Sequence, residues 1–216
     1  MINNTHKYIY TKIGKTGSTS VASALTSVAQ YEGNDFRHNG HYHLLDDIDN
    51  TTQNYFKFTF VRNPWARCVS RYFYIKQKKG KRTKNYRNST FKEFILSQVP
   101  PYNKNDKRKF LLDYSWCRHS LNLQRIYEQS HPFENQLDWI IDKDGKILTD
   151  FIGRVENFQE DLDVVCDKIG IPRQKLPYRN KSKHKHYTNY YTDETKDIVA
   201  KIYAKDIKHF GYEFGK

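Results

Sequence analysis

Two short stretches carry residues whose types and spacing could do chemistry. The first is Tyr8-Ile9-Tyr10-Thr11-Lys12-Ile13-Gly14-Lys15-Thr16-Gly17-Ser18-Thr19-Ser20. Residues 8–13 are mostly aromatic or β-branched, which suits a buried strand. Gly14 and Gly17 permit a tight backbone path. Ser18, Thr19 and Ser20 are helix-start residues, and 21–29 continue as a helix. A helix start presents backbone N–H groups and the positive end of a dipole, and Lys15 adds a full charge beside them. That combination cradles an anion. The plain alternative is a strand–turn–helix with a solvated lysine.

The second stretch is Phe58-Thr59-Phe60-Val61-Arg62-Asn63-Pro64-Trp65-Ala66-Arg67-Cys68-Val69-Ser70. Residues 55–61 read as a strand, Asn63 as a cap, Pro64 as a first helical residue and 65–75 as the helix. Arg62 stands where the strand ends and can hold a phosphate-like group in bidentate fashion. Ser70 sits about two turns into the helix. Taken singly, Arg62 could pair with a carboxylate and Ser70 could be a surface residue. Between the two stretches lie His41 and His43. Imidazole ionises near neutrality and serves as a general base, and the i+2 spacing puts both rings on one side of an extended strand. Surface loop histidines are the competing explanation.

The surrounding elements are those of an α/β chain. Residues 91–98 are a helix opened by a Thr90/Glu93 capping box. Residues 137–142 and 146–148 flank Asp142-Lys143-Asp144-Gly145, a hairpin signature. Residues 151–155 are a buried strand. A helix from Asn157 to Lys168 follows, with Glu160 at the box position and Gly170 as its stop. A last helix begins at Thr192, with Ile198, Ile202 and Tyr203 as a core stripe. Strands alternating with helices imply parallel βαβ units, and ligands of such sheets collect at the carboxyl ends of the strands.

Composition narrows the partners. The chain has 216 residues and a formal charge of +13, which favours an anionic partner. Three widely spaced cysteines, Cys68, Cys117 and Cys166, fit neither a zinc site nor a disulfide framework. Cys68 and Cys166 read as buried thiols, and a reducing, cytoplasmic setting is expected. No metal site, signal peptide or membrane span is indicated. No glycine precedes Gly14, so the first loop is not a Walker A motif.

The segment Lys15-Thr16-Gly17-Ser18-Thr19-Ser20 resembles the 5′-phosphosulfate loop of PAPS-dependent sulfotransferases. Val61-Arg62-Asn63-Pro64-Trp65 to Ser70 resembles their 3′-phosphate strand and helix. The resemblance is to the carbohydrate sulfotransferase branch, as a soluble member of bacterial or viral type. It continues in Phe151-Ile152-Gly153-Arg154-Val155-Glu156-Asn157 and Asn180-Lys181-Ser182-Lys183. It implies a single domain over 1–216, a three-layer α/β sandwich with a central parallel sheet, and a P-loop-like site.

By that resemblance PAPS is the donor, no metal is used, and a carbohydrate is the acceptor. Lys15 would stabilise the leaving oxygen, and 16–20 would bind the 5′-phosphate. Arg62 and Ser70 would bind the 3′-phosphate, and Lys181 and Lys183 would lie in a basic loop over the nucleotide. A histidine after glycine at this chain position would be the base, which matches His41 with His43 second; Glu156 is a further candidate. Two other readings compete. One is a P-loop kinase-like enzyme using ATP. The other is a non-catalytic module for acidic glycan or nucleic acid, of which the sequence bears no recognised nucleic-acid signature.

Overall fold

The computed structural model describes residues 1–29, 36–37, 43–77, 88–96, 135–177 and 184–216. His41, Cys117, Lys181 and Lys183 lie outside these residues. In chain order the elements are β1 (Ile2–Asn3), β2 (Tyr8–Thr11), α1 (Ser18–Ala29), β3 (Phe36–Arg37), α2 (Leu44–Asp47), β4 (Phe56–Val61), α3 (Pro64–Gln77), α4 (Phe91–Leu96), β5 (Phe151–Arg154), α5 (Phe158–Ile169), α6 (Asp193–Ile202) and α7 (Ala204–Phe210). They fall into two compact units, residues 1–62 with 136–181 and residues 63–135 with 182–216.

The first unit is built on one sheet of order β3-β1-β2-β4-β5. β2 and β4 pair parallel, with Tyr10 opposite Phe58 and Thr11 opposite Thr59. β4 and β5 also pair parallel, with Phe60 opposite Gly153 and Val61 opposite Arg154. β1 and β3 are antiparallel, so the expected parallel sheet holds for three strands and the sheet as a whole is mixed. The cause is local. β1 enters β2 through the turn at 4–7, where the His6 N–H donates to Asn3 Oδ1 at 2.7 Å. So short a connection joins only antiparallel neighbours.

Period-two alternation sorts the side chains between the faces. Tyr8, Tyr10, Phe58 and Phe60 point to one face and pack on Val21, Ala24 and Leu25 of α1 and on Leu162, Val165 and Cys166 of α5. Tyr10 and Phe58 stack at 5.0 Å. Burying each of these rings contributes about 1.5–3 kcal/mol. The opposite face carries Ile2 and Ile9 against Leu44 of α2, with Tyr55. Helices therefore lie on both faces, although α2 is a single turn. Gly153 is required here, because a Cβ on it would stand 2.6 Å from the Phe60 ring.

The Asp142–Gly145 turn forms as expected, with the Asp142 Oδ1 accepting from the N–H groups of Asp144 and Lys146. Its arms are reduced to one bridge, Ile141 with Ile147, and residues Leu137–Trp139 coil into a 3₁₀ turn instead of a strand.

The second unit is helical and aromatic. Asn63 caps α3 as expected, its Oδ1 accepting from the Trp65 N–H at 3.1 Å. Its Nδ2 donates to the Glu213 carbonyl at 2.9 Å, which ties the last residues to that helix start. Phe91 of α4 packs edge-on against Tyr72 and Tyr191. The expected last helix is broken at Tyr203 into α6 and α7, and in its stripe Tyr203 is buried whereas Ile198 and Ile202 are half-buried. Among the described residues no helix is long and apolar enough to cross a membrane.

Candidate functional site

Parallel pairing puts the carboxyl ends of β2, β4 and β5 along one edge of the sheet. Three segments leave from that edge: the loop 12–17 after β2, Arg62 after β4 and the 3₁₀ turn Val155–Asn157 after β5. The sheet thus brings the Lys15 loop and Arg62 to adjacent strand ends, where an α/β sheet collects its ligand.

The loop has a left-handed turn at two residues, Lys15 at φ 69° and Gly17 at φ 72°. Gly14 does not have a positive φ, and a Cβ there would meet nothing within 4 Å. The tight path expected of both glycines is therefore made by Lys15 and Gly17. Holding a lysine left-handed costs about 1–2 kcal/mol, a cost that Lys7 also bears at φ 50° in the β1–β2 turn. Thr16 is fully buried and its hydroxyl donates to the Ile13 carbonyl at 3.0 Å, which closes the loop on itself. The Gly17 carbonyl accepts from the N–H groups of Ser20 and Val21 and so opens α1. Gly17 is pinned from behind: its missing Cβ would stand 2.3 Å from Cζ of Phe158. Phe158 in turn packs edge-on against Phe60 at 5.3 Å.

Acidic residues are unevenly distributed among the helix starts. α1 and α3 have no acidic residue in the first turn. Every other described α-helix has one, from Asp46 of α2 to Asp206 of α7. A carboxylate there would compete with a bound anion for the helix N–H groups. Half-buried Lys12, at the start of the loop, is held below the ordinary lysine value by desolvation, which a neighbouring anion would reverse. Thr19 is exposed, while Ser18 and Ser20 are buried.

Arg62 is half-buried and its backbone is clamped. Its N–H donates to Gln136 Oε1 and its carbonyl accepts from Gln136 Nε2, both at 2.8 Å. Gln136, fully buried, thus acts as one residue of a neighbouring strand. Ser70 is buried on α3, in the second unit.

His43 immediately precedes α2. Its Nδ1 lies 3.0 Å from the Asp138 carbonyl oxygen. A carbonyl only accepts, so Nδ1 carries the proton, and in the neutral ring Nε2 keeps its lone pair. The ring stacks on Trp139 at 4.7 Å and 7°. Glu156 is exposed on its 3₁₀ turn. Among the described residues no cluster of His, Cys, Asp or Glu could hold a metal ion.

Gln136, Trp139 and Phe158 escaped the sequence reading. None of them has a charge or a spacing that distinguishes it from core residues. A polar Gln136 between loop and apolar run was the one available signal.

The model of the sulfotransferase family matches residues 1–213 and so spans both units. The chain is 24% identical to human carbohydrate sulfotransferase 9, over 95% of this chain and 47% of that protein. It is 24% identical to zebrafish (Danio rerio) carbohydrate sulfotransferase 14, over 98% of this chain and 61% of the relative. An uncharacterized protein of Archaeoglobus fulgidus is 33% identical over 56% of this chain and 72% of its own length. The chain thus spans about half the length of the human relative that it matches. No solved structure matches. With a family match over almost its whole length, and with the lysine loop and the arginine on neighbouring parallel strands, this chain belongs to the sulfotransferase family.

Proposed function

We propose that this chain transfers a sulfuryl group from PAPS to a carbohydrate hydroxyl in a P-loop-like site. The observation that carries the reading is the departure of the Lys15 loop and Arg62 from the ends of adjacent parallel strands. Backbone N–H groups at 17–19, with the Ser18, Thr19 and Ser20 hydroxyls, take the 5′-phosphate. Thr16 holds the loop in shape through its bond to Ile13. Arg62 takes the 3′-phosphate. Ser70, and Lys181 and Lys183 over the nucleotide, enter the proposal through the family resemblance alone.

Of the two candidate bases, His41 and His43, His43 is the one within the described residues, and its Nδ1–H donated to Asp138 is the tautomer whose Nε2 carries the lone pair that a base needs. Nε2 takes the proton of the acceptor hydroxyl as that oxygen forms a bond to sulfur. The bond between sulfur and the bridging phosphate oxygen breaks, and its electron pair stays on the phosphate of 3′,5′-ADP. Lys15 offsets the charge that develops on that oxygen, a contribution made mainly in the transition state.

The test is transfer of labelled sulfate from PAPS to chondroitin, dermatan and desulfated heparin. His43→Ala should cut turnover by about 10²–10⁴ and leave 3′,5′-ADP affinity unchanged. Lys15→Ala should lower turnover far more than it lowers that affinity. Near-normal turnover in His43→Ala moves the base to His41 or Glu156. Phosphoryl transfer from Mg-ATP, without turnover of PAPS, overturns the reading in favour of a kinase-like enzyme.

A further inference from the structure

One short turn touches both sides of the site. Gln136, buried at the start of the Leu137–Trp139 turn, is bonded to the N–H and carbonyl of Arg62. Two residues on, the Asp138 carbonyl accepts from His43, and Trp139 lies flat against the same ring. Trp139 is itself 9% exposed and followed by the fully buried Ile140, so the platform is anchored. The Leu148 N–H donates to the Ile140 carbonyl at 2.8 Å and fixes the far end of the turn.

We infer that the turn 136–139 is a positioning device that sets Arg62 through Gln136 and His43 through Asp138 and Trp139. The inference rests on the reading of His43 as base and Arg62 as phosphate ligand, and it adds two positioning residues to it. A neutral imidazole with two open nitrogens exchanges its proton between them, and only the Nδ1–H form leaves Nε2 basic. The carbonyl selects that form. The indole face holds the ring plane, so that the carbonyl stays in line with Nδ1. The clamp on Arg62 does for the guanidinium what a strand neighbour would do: it fixes the direction in which the side chain leaves the sheet edge. Both contacts sit on one turn, but each acts through its own residues: Gln136 on Arg62, and Asp138 with Trp139 on His43. A misplacement of about 1 Å at such a site lowers rates by as much as 10²-fold.

The test separates the two halves. Nitrogen-15 NMR of histidine-labelled protein, with the His43 signal assigned by its loss in His43→Gln, should show a protonated Nδ1 and an unprotonated Nε2 above the ring's ionisation. In Trp139→Leu the signal should become a mixture of tautomers. Turnover of PAPS should fall about 10- to 100-fold with 3′,5′-ADP affinity unchanged. Trp139→Phe should recover most of both, because it keeps a flat ring. Gln136→Leu should instead weaken 3′,5′-ADP and leave the tautomer in place.

An Nε2–H tautomer in the wild type overturns the inference without any variant. So does a Trp139→Leu protein with wild-type tautomer and turnover, and so does a parallel loss of affinity and turnover in both variants. If the wild type neither binds 3′,5′-ADP nor turns over PAPS, the proposed function fails, and the tautomer measurement still decides whether the turn orients His43.

Discussion

Gly17 and Gly14 read alike in the sequence and differ in the fold. Gly17 has φ 72° and the Phe158 ring where a Cβ would be, whereas Gly14 has neither constraint. Gly17→Ala should therefore destabilise the protein by about 1–3 kcal/mol, with nucleotide affinity lost as the loop is displaced. Gly14→Ala should leave stability unchanged or raise it by up to about 1 kcal/mol, since alanine narrows the unfolded ensemble. Urea unfolding of both variants checks the contrast, and equal losses contradict the description of the loop. The lysine, the arginine and the hydroxyls of the site could be picked out from residue type and spacing. What props them could not. Phe158 and Gln136 act through shape and through backbone hydrogen bonds, and neither leaves a pattern in a single sequence.

Helix starts show the same division at the next scale. Asn63, Thr90 and Asn157 read as caps or capping-box residues, and Thr192 as the first residue of the last helix; Asn63 caps α3. Thr90 and Glu93 exchange hydrogen bonds as the pattern requires. Thr192, in extended backbone at ψ 166°, caps α6 with Thr195 as its box partner. Asn157 fails, because β5 runs into a 3₁₀ turn that leaves it at ψ 41°, where its side chain makes no cap bond. The Arg154 N–H goes to Asp161 instead. Thr192→Ala should cost about 1 kcal/mol of stability and Asn157→Ala close to nothing, read by thermal unfolding. A larger loss at Asn157 contradicts this geometry. Strands β2 and β4 were legible from their aromatic and β-branched runs, and helices α1, α3 and α5 from the residues that start or stop them. β1 was not, since two residues cannot show a period, and the antiparallel edge of the sheet was missed with it.

For the whole molecule, burial decides the response to alkali. It pushes the Cys68 thiol up to about 11 and the phenols of Tyr8, Tyr10, Tyr191 and Tyr203 above their ordinary value of 10.0. Each of these groups ionises first in the unfolded chain. The stability that these groups contribute is therefore fully present well below the ordinary thiol value of 9.0 and is lost as pH rises from there through 10 and 11. A melting temperature that stays level from pH 8 to 11 contradicts that core. The charge of +13 is a property of the same scale, and it favours an anionic partner without choosing one. Which anion is settled most directly by calorimetry of the wild-type protein with 3′,5′-ADP and with 5′-AMP. A site with a second phosphate point at Arg62 should prefer 3′,5′-ADP by about 1.5–3 kcal/mol, or roughly 10- to 150-fold, and Arg62→Ala should abolish most of that preference. Equal affinity of the wild type for the two nucleotides would contradict the proposed sulfuryl-transfer site.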